Sequence, residues 1–175
     1  MFKVARSLVL IFNVFLFLTI VGCVSERVTE PDLSTQISLE TAIGSMEAME
    51  DIESIHPPYQ FHYIKGVDVT INGTAREWII GAKEGNETLF YVINTWGGSK
   101  VFWSGELPDN QISIDYILYP ENLLKSHSLL MQDLTDGGTR RIDTLELIGD
   151  TYYLSVKTGD TSKEFHFNAY DGKEI

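Results

Sequence analysis

Twice along this chain a stretch of helical period gives way to several stretches of period two, and that order restricts the fold more than any single motif. In the first instance Leu39, Ala42, Ile43, Met46, Met49 and Ile52 recur at three- and four-residue steps, with Glu40, Glu47, Glu50 and Glu53 on other faces. This predicts an amphipathic helix with Ser38 as its N-cap, the methionines filling core and the glutamates forming the solvated side. Pro57-Pro58 ends it, because neither residue can donate a backbone hydrogen bond. Val67, Val69 and Ile71 then alternate with polar residues before an Asn72-Gly73 turn. Strands are predicted over Trp78–Lys83 and Leu89–Asn94, around a Glu84-Gly85-Asn86 turn, with Val101-Phe102-Trp103 as a short last strand. Gly105 to Gln111 is rich in turn formers and marks a break.

Beyond the break, Ile112, Ile114, Tyr116 and Leu118 alternate as a short strand or extended entry. Pro120 suits the first turn of a helix, and Leu123, Leu124, His127, Leu130, Met131 and Leu134 give that helix one apolar stripe ending at Gly137-Gly138. Strands follow near Ile142–Ile148, Thr151–Lys157 and Lys163–Ala169. Trp78–Val101 can be laid over Tyr152–Ile175 without a gap at an offset of 74, which matches Lys83 with Lys157, Gly85 with Gly159, Asn94 with Asn168 and Gly98 with Gly172. The substitutions are in kind: Trp78 with Tyr152, Tyr91 with Phe165, Trp96 with Tyr170. An internal duplication is expected.

The N-terminus is of a different character. Lys3 and Arg6 precede an apolar run from Leu8 to Val21, and Gly22 stands before Cys23, the chain's one cysteine. Basic head, apolar core and small-residue cut site make a secretory signal whose core is short for a membrane span. Ile20-Val21-Gly22-Cys23 resembles the lipobox of prokaryotic lipoproteins, which implies cleavage after Gly22 and a lipid on Cys23. The expected organisation is a signal peptide over 1–22, a flexible tether over 23–37, a first repeat over 38–104, a linker over 105–111 and a second repeat over 112–175. The expected location is extracytoplasmic, lipid-anchored to the cell membrane or outer envelope.

The ending Phe165–Ile175, with Asn168-Ala169 and then Asp171-Gly172, resembles the close of a PepSY-like repeat. The resemblance implies an α+β fold of two diverged repeats, each one helix packed on a small antiparallel sheet. It also implies that an extracytoplasmic peptidase, bound or restrained, is a candidate partner, along with other envelope proteins.

Composition narrows the function. The 153 residues after position 22 carry all 25 acidic side chains against 11 basic ones, a formal charge of −14. Such a surface repels phosphate backbones, so nucleic acid is excluded as a partner. No cofactor or metal site is expected: His56, His62, His127 and His166 lack ligand spacing, and Ser126-His127-Ser128 lacks a nucleophile elbow. The chain therefore reads as a non-enzyme.

Alternation also sets the candidate binding surface. In the second copy Glu164, His166 and Asn168 point away from Phe165, Phe167 and Ala169, giving a wet back face, whereas the first copy places Phe90, Val92 and Ile79 on its back face. That apolar face needs a cover, inside the molecule or from a partner. Ile79, Phe90, Val92 and Trp96 are the candidate surface for a protein or peptide. Two alternatives remain at this point: a small-molecule pocket lined by Trp78, Tyr91, Trp96 or Trp103, and a structural envelope component. Asn72-Gly73-Thr74 and Asn86-Glu87-Thr88 make Asn72 and Asn86 candidate glycosylation acceptors, although asparagine is favoured in turns for its backbone chemistry.

Overall fold

The computed structural model describes residues 36–49, 59–136, 141–158 and 161–175. Cys23, most of the tether, His56, Pro57-Pro58 and Gly137-Gly138 lie outside them. The described residues belong to one compact unit, Leu33–Ile175. Their elements, in chain order, are α1 (Leu39–Met49), β1 (Gln60–Thr70), β2 (Glu77–Glu84), β3 (Glu87–Asn94), β4 (Gly97–Trp103), α2 (Pro120–Ser126), α3 (Ser128–Asp136), β5 (Arg141–Ile148), β6 (Thr151–Thr158) and β7 (Thr161–Asn168).

Local chemistry accounts for most of these elements. Ser38 caps α1, its Oγ accepting from the Thr41 N–H at 3.0 Å. Leu39, Ala42, Ile43 and Met46 are the buried face of that helix. Pro120 opens α2, and the expected single helix breaks at His127, where φ is −105° and ψ 34° and the N–H turns back to Leu124 O. Hairpin β2–β3 closes on two turn residues, Gly85 and Asn86, and β6 pairs with β7 up to Thr158↔Thr161. Gly85, first of its turn, has φ +59°, as a type II′ hairpin needs. Ile112 makes one antiparallel bridge to Phe61 rather than a strand.

The expectation of two small PepSY-like sheets is overturned. Among the described residues all seven strands form one antiparallel sheet in the order β4-β3-β2-β1-β5-β6-β7, with three short helices, so the fold is far more sheet-dominated than a helix on a small sheet. The physical reason lies in β1 and β5. Each would otherwise present an unpaired edge and a half-buried apolar face, and pairing them satisfies both. Ile64 and Leu147 face one another across this seam, both fully buried. The stretch from Tyr59 to Ile64 leads into the sheet as the start of its central strand.

The registers carry an approximate two-fold relation. Glu77↔Asn94 through Glu84↔Glu87 in β2–β3 fall at the same steps as Thr151↔Asn168 through Thr158↔Thr161 in β6–β7, the offset of 74 seen in the sequence. Likewise Ile64↔Ile80 corresponds to Leu145↔Leu154, and Lys65↔Ile79 to Glu146↔Tyr153. Across the seam the relation exchanges Ile64↔Leu147 with Gly66↔Leu145 and centres on Lys65↔Glu146. Their side chains form an ion pair of 2.8 Å there.

Anchoring bonds repeat as well. Trp78 Nε1 donates to Ile37 O at 3.0 Å, and Tyr152 Oη donates to Leu118 O at 2.8 Å. Each acceptor lies two residues before a helix. Asn94 Oδ1 accepts from Trp96 N–H at 2.9 Å, and Asn168 Oδ1 from Tyr170 N–H at 3.0 Å. After these turns the halves part: the first continues as β4, while the second folds back so that Glu174 bridges Phe167.

The core lies between one face of the sheet and the helices. Trp78, Ile80, Leu89, Tyr91 and Ile93 from the first half meet Leu145, Leu147, Tyr152, Leu154 and Phe167 from the second in one cluster with Leu39, Met46, Leu123 and Leu124. His127 joins it by lying on the Phe167 ring, centroids 4.4 Å apart, with its Nε2 2.6 Å from Gly172 O.

Candidate functional site

The other face of the sheet carries no helix among the described residues. Alternation sends Tyr63, Lys65, Ile79, Phe90, Val92, Glu146, Tyr153 and His166 to it. Ile79 and Val92 are direct cross-strand partners, and both are half-buried. Next to them stands the Lys65–Glu146 pair, and beyond it Tyr153 meets His166 edge to face at 4.8 Å. One row thus runs from an apolar pair through an ion pair to an aromatic, polar end.

Phe90 is held differently. Trp103 packs edge-on at 5.8 Å on one side and Tyr63 at 6.2 Å on the other, a ladder that passes over β2 at Gly81. A Cβ at Gly81 would lie 2.8 Å from Leu107 Cδ2 and 2.9 Å from Phe90, so the small residue admits the closure. Leu107, 6% exposed, covers this end of the face. It belongs to the Gly105–Gln111 stretch, which is further held where Pro108 O lies 2.8 Å from His62 Nδ1. Internal cover is therefore partial: Phe90, Ile79 and Val92 are all half-buried. Burial first, then the Glu146 carboxylate, pushes the Tyr63 hydroxyl up to about 12, and this side chain hydrogen-bonds Glu146.

Of the four candidate surface residues, Ile79, Phe90 and Val92 share this face. Trp96 does not join them. It sits in the β3–β4 turn, 86% exposed. The aromatic residues considered for a small-molecule pocket are also dispersed. Trp78 and Tyr91 are in the core, while Trp96 and Trp103 lie on the surface. A concavity among the described residues lies elsewhere, a groove of about 670 Å³ between the β1–β2 connection and α2–α3, lined by Ile71, Asn72, Glu121, Leu124, Lys125, Ser128, Met131, Gln132 and Asp136. Burial raises the Glu121 carboxyl there, opposed by a backbone hydrogen bond. Sequence reasoning did not find this groove, because its walls come from segments about fifty residues apart joined through Gly73. Asn72 and Asn86 are both exposed in turns.

No family model matches the chain, and no curated protein matches its sequence. Among solved structures the fold is similar to the crystal structure of a putative lipoprotein (CD1622) from Clostridium difficile 630. The TM-score is 0.53 at 9% identity, covering 81% of this chain and 91% of that one. At that identity the likeness is one of fold.

Proposed function

We propose that this is an exported lipoprotein, anchored through Cys23, that binds a protein or peptide partner without catalysing a reaction. The carrying observation is the sheet face that bears no helix among the described residues, where the half-buried Ile79–Val92 pair stands beside the Lys65–Glu146 charges. An apolar centre with polar groups around it suits a partner held by shape and directional contacts. The apolar run ending at Gly22-Cys23 supports the anchor, as does the description of the similar fold as a putative lipoprotein. An extracytoplasmic peptidase remains one candidate partner, other envelope proteins the rest.

The test is affinity capture from envelope extracts with the protein and with its Ile79→Glu/Val92→Glu variant, read by mass spectrometry. We expect a stoichiometric partner that the double variant loses while its circular dichroism is unchanged. Equal recovery by both proteins, or no enriched protein with either, would remove this face from the account.

A further inference from the structure

Edge strand β4 differs from the rest of the surface. Val101, Phe102 and Trp103 are 47%, 68% and 52% exposed, and Trp96 in the adjoining turn 86%. These side chains do not share a face. Val101 pairs with Phe90 and lies with Trp103 on the open face, whereas Phe102 pairs with Leu89 on the helix-bearing side. Apolar surface on both sides of an edge strand is covered by an added strand rather than by a body docking on one face. The usual protections of an edge are lacking: β4 has no proline or bulge, and its one charge, Lys100, turns inward to Glu84 at 3.6 Å.

We infer that β4 pairs antiparallel with β4 of a second copy of this chain, with Val101 opposite Val101 on the two-fold axis. Charge selects this occupant. From Thr88 to Gly105 there is no Asp or Glu, in a chain of net charge −12, so two copies can meet here without opposing carboxylates. A cationic peptide finds no local attraction at this edge. Charge also selects the register. Centring on Lys100 would oppose two lysines, which is unfavourable, whereas centring on Val101 sets each Lys100 across from Phe102 of the other copy and Ser99 across from Trp103. Lys100 already lies 5.8 Å from its own Phe102 ring, so the contact extends an existing one. At the far edge, β7 presents Lys163 and Glu164, and Glu174 bridges Phe167, so open-ended β4–β7 growth is disfavoured and the closed pair favoured. The chain already has such a junction in its β1–β5 seam, two equivalent units joined about a two-fold. The dimer would place two open faces side by side in one continuous sheet.

The test uses the full chain carrying Cys23→Ser in mild detergent, with one thiol introduced. Residues opposed on an antiparallel axis have Cα atoms about 4.5–5.5 Å apart, within disulfide range. Val101→Cys should form a covalent dimer under mild oxidation about tenfold faster than Lys163→Cys on β7, a control for chance encounter in the micelle. Phe102→Lys, added to Val101→Cys, opposes lysines across the axis and should abolish the crosslink. Sedimentation of the thiol-free chain should give a dimer that Phe102→Lys converts to monomer. Equal crosslinking at both edges, a monomer without substitution, or a dimer indifferent to Phe102→Lys would each overturn the inference. None of these outcomes bears on the capture experiment, which reads the middle of the open face.

Discussion

Trp78→Ala should lower stability by about 3–5 kcal/mol, the range for removing a large buried aromatic. Trp78 is 1% exposed, and its indole N–H is bonded to Ile37 O, so the truncation opens a cavity and also releases the segment leading into α1. Its counterpart gives an internal comparison. Tyr152→Phe keeps the ring in place and removes only the hydroxyl that donates to Leu118 O, so it should cost about 1 kcal/mol. Urea denaturation of the two variants checks both values. Near-equal losses would mean that neither the cavity nor the anchoring bond has the weight assigned here. Single domains are commonly stable by about 5–15 kcal/mol, so Trp78→Ala could leave a substantial unfolded fraction.

Gly73→Ala is expected to be nearly as damaging for a different reason. Gly73 has φ +86°, and a Cβ there would meet backbone, with Glu121 Cα and Pro120 C each 2.6 Å away. Backbone at a helix start cannot rotate aside as a long side chain can. Left-handed strain plus displacement of α2 should together cost on the order of 3 kcal/mol. Gly85→Ala separates these contributions, because Gly85 has φ +59° and open space around it. It should cost about 1 kcal/mol, the conformational part alone. Thermal denaturation of both variants gives the comparison. A Gly73→Ala loss no larger than that of Gly85→Ala would show that α2 yields freely, and with it the groove at Ile71, Asn72 and Glu121.

The elements with strictly local causes were legible in the residues. Ser38 announces its cap, Gly85 and the apolar positions around it announce a hairpin, and the offset of 74 recurs in the registers of the two hairpins. Which side chains face the core in β3 and β7 also followed from alternation, down to Phe167 and Tyr91 inside and His166 and Val92 outside. β1 was less legible. A register shift between Phe61 and Tyr63 puts His62 out of step, so Phe61, His62 and Ile64 are all buried and no period of two appears. β4 begins Gly-Gly-Ser-Lys, with no apolar alternation to read until Val101.

The joining of the sheets was not legible at all. Pairing β1 with β5 is a choice of partner about eighty residues away, and nothing local distinguishes it from two separate sheets. The same holds for the candidate surface. Phe90, Val92 and Ile79 could be assigned to one face, but that Leu107 would pack over Gly81 there depends on how the Gly105–Gln111 stretch crosses the sheet. Trp96 is the exception among the four candidates. Its turn holds it apart.

The proposal that an anchored chain holds a partner on this face is tested most directly by photocrosslinking in the membrane. Benzoylphenylalanine would replace Val92 in the open face or, as a control, Leu129 on α3, which is 77% exposed in the opposite layer. Irradiating membrane fractions of expressing bacteria should yield one adduct of discrete mass from Val92 and none from Leu129. The adduct should vanish when Cys23→Ser removes the anchor from the same chain. No adduct at Val92, or the same products from both positions, would contradict the account.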